Sequence, residues 1–134
     1  MIVVDTSVWI DFFNAARSPE DLHLQHLIIE ERSIGLTDLI FCEILQGIKE
    51  EAEVTRTRKL LLHYPILRMA SLITFENGAN IYRSCRKRGL TIRKTIDCLI
   101  AAVCLANDVA LFHKDADFTL IAQVFPLKMY PVPV

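Results

Sequence analysis

No hydrophobic run in this sequence is long enough to cross a membrane, because none approaches the roughly 18 apolar residues that a spanning helix requires. Glycine and proline are also scarce, at 4 and 5 of 134 residues, and this excludes collagen-like and low-complexity chains. The first residues lack a basic segment followed by a cleavable apolar stretch. We therefore expect a cytoplasmic protein without a membrane partner.

The cysteines form no C-x-x-C pair. They are spread over four positions, Cys42, Cys85, Cys98 and Cys104. Three of them lie in apolar helical patterns, so neither a disulfide framework nor a zinc site is indicated, and we expect reduced thiols that lie mostly in the core.

An excess of charge of one sign is missing as well. The chain has 15 Lys and Arg residues against 16 Asp and Glu residues, so its formal net charge of -1 does not by itself point to nucleic acid.

One globular domain covering residues 1–134 fits this composition, since 52% of the residues are hydrophobic and 23% are charged. Short β-branched runs alternate with longer helical patterns. The predicted strands are residues 2–4, 34–37, 65–68, 109–112 and 127–130. The predicted helices are residues 6–13, 19–32, 38–48, 50–63, 75–88, 95–107 and 117–125. Strands separated by helices pair in parallel through right-handed crossovers, so the sequence predicts an α/β fold, a three-layer α/β/α sandwich with a mostly parallel central sheet.

Two acidic residues lie where acids are least expected. Asp97 is in the first turn of the predicted helix 95–107, which is apolar on all sides and should be buried. Glu43 is the one charged residue in the otherwise apolar segment 39–45. A buried carboxylate needs a compensating partner, so both positions indicate a site.

Two further acids follow predicted strands. Asp5 ends the first strand, and Asp115 comes three residues after the strand 109–112, at the ends of strands where open α/β sheets bind ligands. Converging carboxylates are costly, since two unit charges 4 Å apart repel by about 4 kcal/mol at an effective dielectric constant near 20. Hard divalent cations relieve this repulsion, and the scarcity of nearby histidine favours Mg²⁺ or Mn²⁺ over zinc. The pattern therefore favours phosphoryl or phosphodiester chemistry.

Four segments in this order resemble the four signatures of PIN-domain proteins. They are residues 1–11 with Asp5, the isolated Glu43, residues 95–102 with Asp97, and residues 115–118 with Asp115. The likeness is closest to VapC-type toxins of toxin-antitoxin pairs, and it runs through most of the chain. Each motif is weak alone, and the four together are specific.

The resemblance implies an endoribonuclease dependent on one or two Mg²⁺ or Mn²⁺ ions. Its metal-binding and catalytic residues would be Asp5, Glu43, Asp97 and Asp115, with Asp117 as a possible fifth ligand. Water would attack the phosphodiester and leave 5′-phosphate and 3′-hydroxyl ends. The favoured RNA is tRNA, whose cleavage inhibits translation, and a cognate antitoxin would block the active site with its C-terminal segment.

Several of these residues also have structural interpretations. Asp117 could be the N-cap of the helix that follows it, and Asp5 could cap the first helix, although Thr6 and Ser7 offer caps of their own. The Thr6 and Ser7 hydroxyls would then act as supports for the metal ligands. His113 departs from the family pattern, in which this position is more often Thr or Ser. We interpret it as a structural residue or as a residue close to the substrate.

Positive charge is concentrated just before the helix that carries Asp97. Six of the fifteen basic residues fall within twelve positions: Arg83, Arg86, Lys87, Arg88, Arg93 and Lys94. We expect Arg93, Lys94 and the run 86–88 to bind RNA phosphates, with Arg93 and Lys94 closest to the site. For the run 86–88 an equally good interpretation is a set of cations favoured at a helix C-terminus.

Other function classes fit less well. A receiver domain needs an acidic pair after its first strand, whereas Thr6 follows Asp5, and a haloacid-dehalogenase-type phosphatase needs an acid where Ser7 stands. The non-enzyme alternative is an inactive PIN-like module that binds RNA or protein. The high apolar content also leads us to expect a homodimer.

Overall fold

The computed structural model describes residues 1–132, which form four strands and seven helices. The strands are β1 (Ile2–Val4), β2 (Ile34–Thr37), β3 (Ile66–Leu67) and β4 (Ala110–Phe112). The helices are α1 (Thr6–Phe13), α2 (Pro19–Ile29), α3 (Asp38–Gln46), α4 (Glu51–Leu61), α5 (Leu72–Lys87), α6 (Thr95–Asn107) and α7 (Ala116–Ala122).

The strands form one parallel sheet in the order β3-β2-β1-β4. The chain moves outward from β1 to β2 and β3, then returns to place β4 on the other side of β1. Right-handed crossovers in opposite directions put helices on opposite faces of a sheet, which gives the predicted three layers. The strand order reverses between β1 and β4, and ligands of open α/β sheets bind outside the carboxyl ends of strands at such a point. The predicted fold class is confirmed.

Helix α6 forms much of the core on one side of the sheet. Its side chains are buried around almost the whole helix, as its uninterrupted apolar sequence predicts. Helix α5 packs against it at close range, because a Cβ added at Gly78 would lie 2.7 Å from Cδ2 of Leu99. This close packing holds the N-terminal turn of α6, which carries Asp97, rigidly beside the sheet.

Most predicted elements are confirmed, with ends that shift by one to three residues. Helix α2 begins as expected, since Ser18 accepts a hydrogen bond from the Asp21 amide and Pro19 occupies the first turn. The predicted strand 127–130 is wrong. Only a single parallel bridge joins Met129 to Leu111, in which the Leu111 amide donates to the Lys128 carbonyl and the Tyr130 amide donates to the Leu111 carbonyl, both at 2.8 Å.

Among the cysteines, three are buried as expected, and Cys42 is exposed. No helix within residues 1–132 combines the length and the apolar character needed to cross a membrane.

Candidate active site

Four carboxylates meet around one cavity of about 330 Å³ at the carboxyl edge of the sheet. They come from four separate segments, with Asp5 after β1, Glu43 in α3, Asp97 in the first turn of α6, and Asp115 directly before α7. The other residues that line the cavity are Thr6, Ser7, Ile10, Gln46 and Lys94. The convergence expected from the sequence is therefore present.

Asp5 has two structural tasks at the start of α1. It is the N-cap of this helix, and its Oδ2 accepts hydrogen bonds from the Ser7 amide at 3.2 Å and the Ser7 hydroxyl at 2.7 Å. The expectation that Thr6 or Ser7 would supply the cap is wrong, because α1 begins at Thr6 and both residues lie inside its first turn. Burial raises the pKa of Asp5, and the two hydrogen bonds from Ser7 oppose that rise.

Glu43 is half-buried and is held by the neighbouring helix. Its Oε1 accepts a hydrogen bond of 2.8 Å from the Thr6 hydroxyl, which joins α3 to α1. Burial raises the pKa of Glu43, the Thr6 hydrogen bond lowers it, and the charge of Asp5 raises it again. The Thr6 hydroxyl thus fixes one carboxylate oxygen and leaves the other available.

Among the four carboxylates, that of Asp97 is the least compensated by neighbouring groups. Its side chain is buried, and its Oδ2 has no hydrogen-bond partner among the described residues. Burial, followed by repulsion from the charge of Asp115, raises its pKa to about 8. A buried polar atom without a partner is unfavourable, so this oxygen is suited to a cation.

Asp115 and Asp117 act together at the start of α7. Asp115 is the N-cap, and its Oδ1 accepts a hydrogen bond of 3.0 Å from the Asp117 amide. The interpretation of Asp117 as the cap is wrong. Its buried carboxylate instead accepts hydrogen bonds from the amides of Arg93 and Lys94, at 3.1 and 3.3 Å. One oxygen from each of Asp97, Asp115 and Asp117 lies within 4.8 Å of the others.

Two basic residues lie directly against these acids. The Lys94 ammonium is 2.8 Å from Oδ2 of Asp115 and 3.9 Å from Oδ2 of Asp97. The Arg93 guanidinium is 3.6 Å from Asp117 and 3.9 Å from Asp115. Burial of Asp115 opposes its ionisation, but the hydrogen bond from Lys94 brings its pKa below the ordinary value.

The other predicted RNA-binding residues lie away from the cavity. Arg86 and Lys87 form the last turn of α5, Arg88 is its C-cap, and none of the three lines the cavity. Arg86 lies over the ring of Tyr82, 5.6 Å from its centre. These positions match the interpretation of cations at a helix C-terminus.

A polar network that sequence reasoning missed connects the loop before α7 to α1. The Lys114 amide donates to the Ser7 hydroxyl oxygen at 3.1 Å, and its ammonium lies 2.5 Å from Asp11. Asp11 also accepts a hydrogen bond of 2.5 Å from Ser18. Since Ser7 donates to Asp5, the network links Asp5 to the residue next to Asp115. The sequence held no signal for the two Lys114 contacts, since they join residues 107 and 103 positions apart.

His113 and a second groove complete the surroundings of the cavity. The His113 ring packs against Phe118, with 5.2 Å between ring centres, and burial lowers its pKa. It does not line the cavity. A groove of about 480 Å³ runs between α1, α3 and α4, and both apolar side chains (Phe13, Ile44, Ile48) and polar ones (Asn14, Glu53, Thr57) line it. Ile10 lines both the groove and the acidic cavity, so the two are adjacent.

The donor set fits a hard divalent cation. The cavity offers oxygen ligands, four carboxylates together with the Thr6 and Ser7 hydroxyls and the Gln46 amide, and no histidine or cysteine within residues 1–132 lines it. Carboxylate oxygens are the donors preferred by Mg²⁺ and Mn²⁺. The unpartnered oxygen of Asp97 would gain a partner from such an ion. The single charge of Lys94 compensates the four acids only in part.

Comparison with known proteins gives a consistent result. A family model described as PIN domain matches residues 2–124. The chain is 36% identical over 129 residues to the VapC ribonuclease Mb1587 of Mycobacterium bovis, and equally to the ribonuclease VapC11 of Mycobacterium tuberculosis. Each alignment covers 96% of this chain and 96% of the relative.

Solved structures share the fold at lower sequence identity. VapBC2 from Rickettsia felis, bound to a promoter DNA fragment, matches with a TM-score of 0.75 and 16% identity, over 97% of this chain and 98% of that chain. VapBC-1 from nontypeable Haemophilus influenzae matches with a TM-score of 0.72 and 17% identity, over 97% of each chain. These likenesses agree with the strand order and helical layers described above.

Proposed function

Because this chain belongs to the PIN-domain family and is a ribonuclease of the VapC toxin type, we propose that it cleaves RNA with a divalent metal ion held by its acidic cavity. The observation that carries this proposal is the convergence of Asp5, Glu43, Asp97 and Asp115 on one cavity. Acids brought together at such a cost in repulsion need a cation to neutralise them. Mg²⁺ is the proposed ion and Mn²⁺ the alternative, with one or two ions bound.

The carboxylates would have different roles, according to their positions around the cavity. Asp5, Asp97 and Asp115 would hold the ion, and the close approach of Asp117 to the last two supports it as a further ligand. A divalent ion bound there would lower the pKa of a water molecule and stabilise negative charge on the phosphate. Glu43, with one oxygen fixed by Thr6, would use the other to orient the attacking water or a second ion.

The proposed reaction is hydrolysis of a phosphodiester bond. The water oxygen forms a bond to phosphorus, and the bond from phosphorus to the 3′ oxygen breaks. The products therefore carry 5′-phosphate and 3′-hydroxyl ends. Arg93 and Lys94 would contact the RNA phosphates at the cavity, and the exposed run 86–88, which lies outside the cavity, would contact phosphates further along the RNA. The proposed substrate is tRNA, so cleavage would inhibit translation in the cytoplasm.

Cleavage assays test this proposal directly. The purified chain is incubated with end-labelled tRNA and with ribosomal RNA in Mg²⁺, and the new ends are mapped. We expect cleavage of tRNA with 5′-phosphate ends, and none with the Asp5→Asn variant, whose amide oxygen can still cap α1. Intact RNA in every metal would contradict the proposal and favour an inactive binding module. Ends with a 2′,3′-cyclic phosphate would contradict the proposed attack by water.

Loss of the hydrogen bond between Thr6 and Glu43 should weaken catalysis. The Thr6→Val variant keeps the shape of the side chain but frees Glu43, so we expect RNA cleavage to slow by about 10-fold or more. Initial rates measure this effect. Thr6→Ser, which keeps the hydroxyl, should retain most activity, and Thr55→Val on the exposed face of α4 is the matched control. An unchanged rate in Thr6→Val would show that Glu43 needs no support.

The solved relatives described as VapBC complexes support an antitoxin partner for this chain. We propose that the C-terminal segment of the antitoxin lies in the groove between α1, α3 and α4 and blocks the acidic cavity. Ile10, which lines both the groove and the cavity and is 44% exposed, supports this arrangement. Addition of the antitoxin should stop RNA cleavage, and Ile10→Asp should restore it by weakening the contact. Inhibition that is unaffected by Ile10→Asp would contradict docking in this groove.

We also propose that the chain forms a homodimer. Apolar side chains at the start of α5 are unusually exposed, with Leu72 at 73% and Ile73 at 62%. Light scattering on the purified chain measures its mass. A monomer across the micromolar range would contradict this proposal.

A further inference from the structure

The Lys94 side chain lies where it would compete with a metal ion. We propose that Lys94 and the divalent ion compete for the same carboxylate oxygens, and that the displaced ammonium then binds an RNA phosphate. Metal binding and RNA binding are thereby coupled through one side chain. This inference deepens the proposed function and rests on it.

The backbone of Lys94 is held in place, whereas the ammonium at the end of its side chain can move. It is the N-cap residue of α6, and its amide donates to the buried Asp117 carboxylate at 3.3 Å. Its side chain is 51% exposed and ends 2.8 Å from Asp115 and 3.9 Å from Asp97. The ammonium therefore lies between two proposed metal ligands, on a stem of four carbons that can also extend to solvent.

The Lys94 ammonium and the divalent ion are alternative occupants of one position, because both are cations. Lys94 supplies a single positive charge, and its short contact uses Oδ2 of Asp115, a residue that lines the cavity. A divalent ion at Asp97 and Asp115 would repel the ammonium while taking the oxygens that hold it. Removal of Lys94 should therefore strengthen metal binding, the opposite of the usual result for a residue that supports an active site.

The displaced ammonium has an evident second use. Lys94 stands at the cavity beside Arg93, whose side chain is 72% exposed, so both can reach a phosphate on the solvent side. Phosphate oxygens bind ammonium groups strongly, and every phosphate of the RNA carries one negative charge. A metal ion would thus raise RNA affinity in part by releasing Lys94 from Asp115.

Binding of Mn²⁺ in the absence of RNA tests the competition. Electron paramagnetic resonance measures free Mn²⁺ during titration of the wild type, Lys94→Gln, Lys94→Arg and Lys128→Gln. We expect Lys94→Gln to bind Mn²⁺ about 5-fold or more tightly than the wild type, a typical coupling between two binding events. Lys94→Arg keeps the charge and should stay near the wild type. Lys128→Gln, which removes an exposed lysine paired with Asp108 at the other end of α6, is the matched control.

RNA binding tests the second step. Fluorescence anisotropy of a labelled single-stranded RNA is read within seconds of mixing, with gels to verify that the RNA is intact. Mn²⁺ should raise the RNA affinity of the wild type more than that of Lys94→Gln. An equal rise in both variants would overturn the transfer of Lys94 to the phosphate.

The outcomes separate this inference from the proposed function. Equal or weaker Mn²⁺ binding by Lys94→Gln would overturn the competition, and so would the absence of Mn²⁺ binding by the wild type. Tighter Mn²⁺ binding by a folded Lys94→Gln would support it. If that result came with RNA that is never cleaved, the ribonuclease proposal alone would fail. Circular dichroism establishes that each variant is folded.

Discussion

The Asp97→Asn variant is expected to lose RNA cleavage by at least about 100-fold and to become more stable at the same time. Activity should fall because an amide is a poor ligand for a hard cation, and loss of mere supporting residues around metal sites already costs 10- to 100-fold. Stability should rise because the substitution removes a carboxylate whose ionisation is opposed by burial and by Asp115. The expected gain is on the order of 2 kcal/mol at neutral pH.

The gain in stability should depend on pH. The pKa of Asp97 is raised from 3.8 to about 8 in the folded chain, so the folded state binds this proton more tightly than the unfolded state. The stabilisation by the bound proton is complete below pH 4 and is lost as the pH rises through 8. The wild type should therefore become less stable across this window when EDTA is present, and Asp97→Asn should lose much of that dependence.

Urea unfolding at several pH values, together with initial rates of RNA cleavage, measures both effects. Asp108→Asn is the matched control, because Asp108 ends the same helix and is exposed, with a left-handed backbone that Asn adopts easily. It should leave activity and pH dependence unchanged. A loss of stability in Asp97→Asn at pH 7 would contradict the view that this carboxylate is strained, and retained cleavage would remove it from the metal site.

The second large effect expected is stabilisation by metal. A ligand that binds only the folded state at 100 times its Kd adds about 2.7 kcal/mol to the free energy of unfolding. For a chain of this length that corresponds to a rise in Tm of roughly 8–10 °C. The four carboxylates around the cavity repel one another, and this repulsion lowers the free energy of unfolding. A bound cation would remove the repulsion.

Thermal unfolding in EDTA, Mg²⁺ and Mn²⁺ at constant ionic strength measures this rise. The rise should be largely lost in Asp97→Asn and kept in Asp108→Asn. Equal Tm values in EDTA and in saturating metal would argue against a metal site. A rise that survives in Asp97→Asn would place the ion elsewhere on the chain.

The sequence allowed the fold and the main acids to be predicted because both have local signals. An apolar helix with one carboxylate marks Asp97, and strand ends mark Asp5 and Asp115. Each of these signals lies within about ten residues. The parallel pairing of the strands follows from their alternation with helices and is confirmed, whereas their order, β3-β2-β1-β4, has no local signal in the sequence.

Contacts between distant segments could not be predicted in this way. The ion pair of Lys94 with Asp115 and the hydrogen bond from Thr6 to Glu43 join residues that are far apart in the chain. The same limit explains the error at Asp117, whose carboxylate is held by amides 23 and 24 residues before it. The prediction of a strand at 127–130 was wrong for a different reason. The residue pattern of this segment does not show how many backbone hydrogen bonds it can form with the neighbouring strand β4.

The role of Asp5 as the N-cap of α1 ties the geometry of the site to the folding of one helix. The first turn of α1 and the orientation of this carboxylate exist together, because the Ser7 amide and hydroxyl that hold Asp5 belong to that turn. Any fluctuation that frays the turn therefore dismantles the cavity at the same moment. The hydrogen-exchange rate of the Ser7 amide is thus a direct reporter of how often the acidic cavity is assembled.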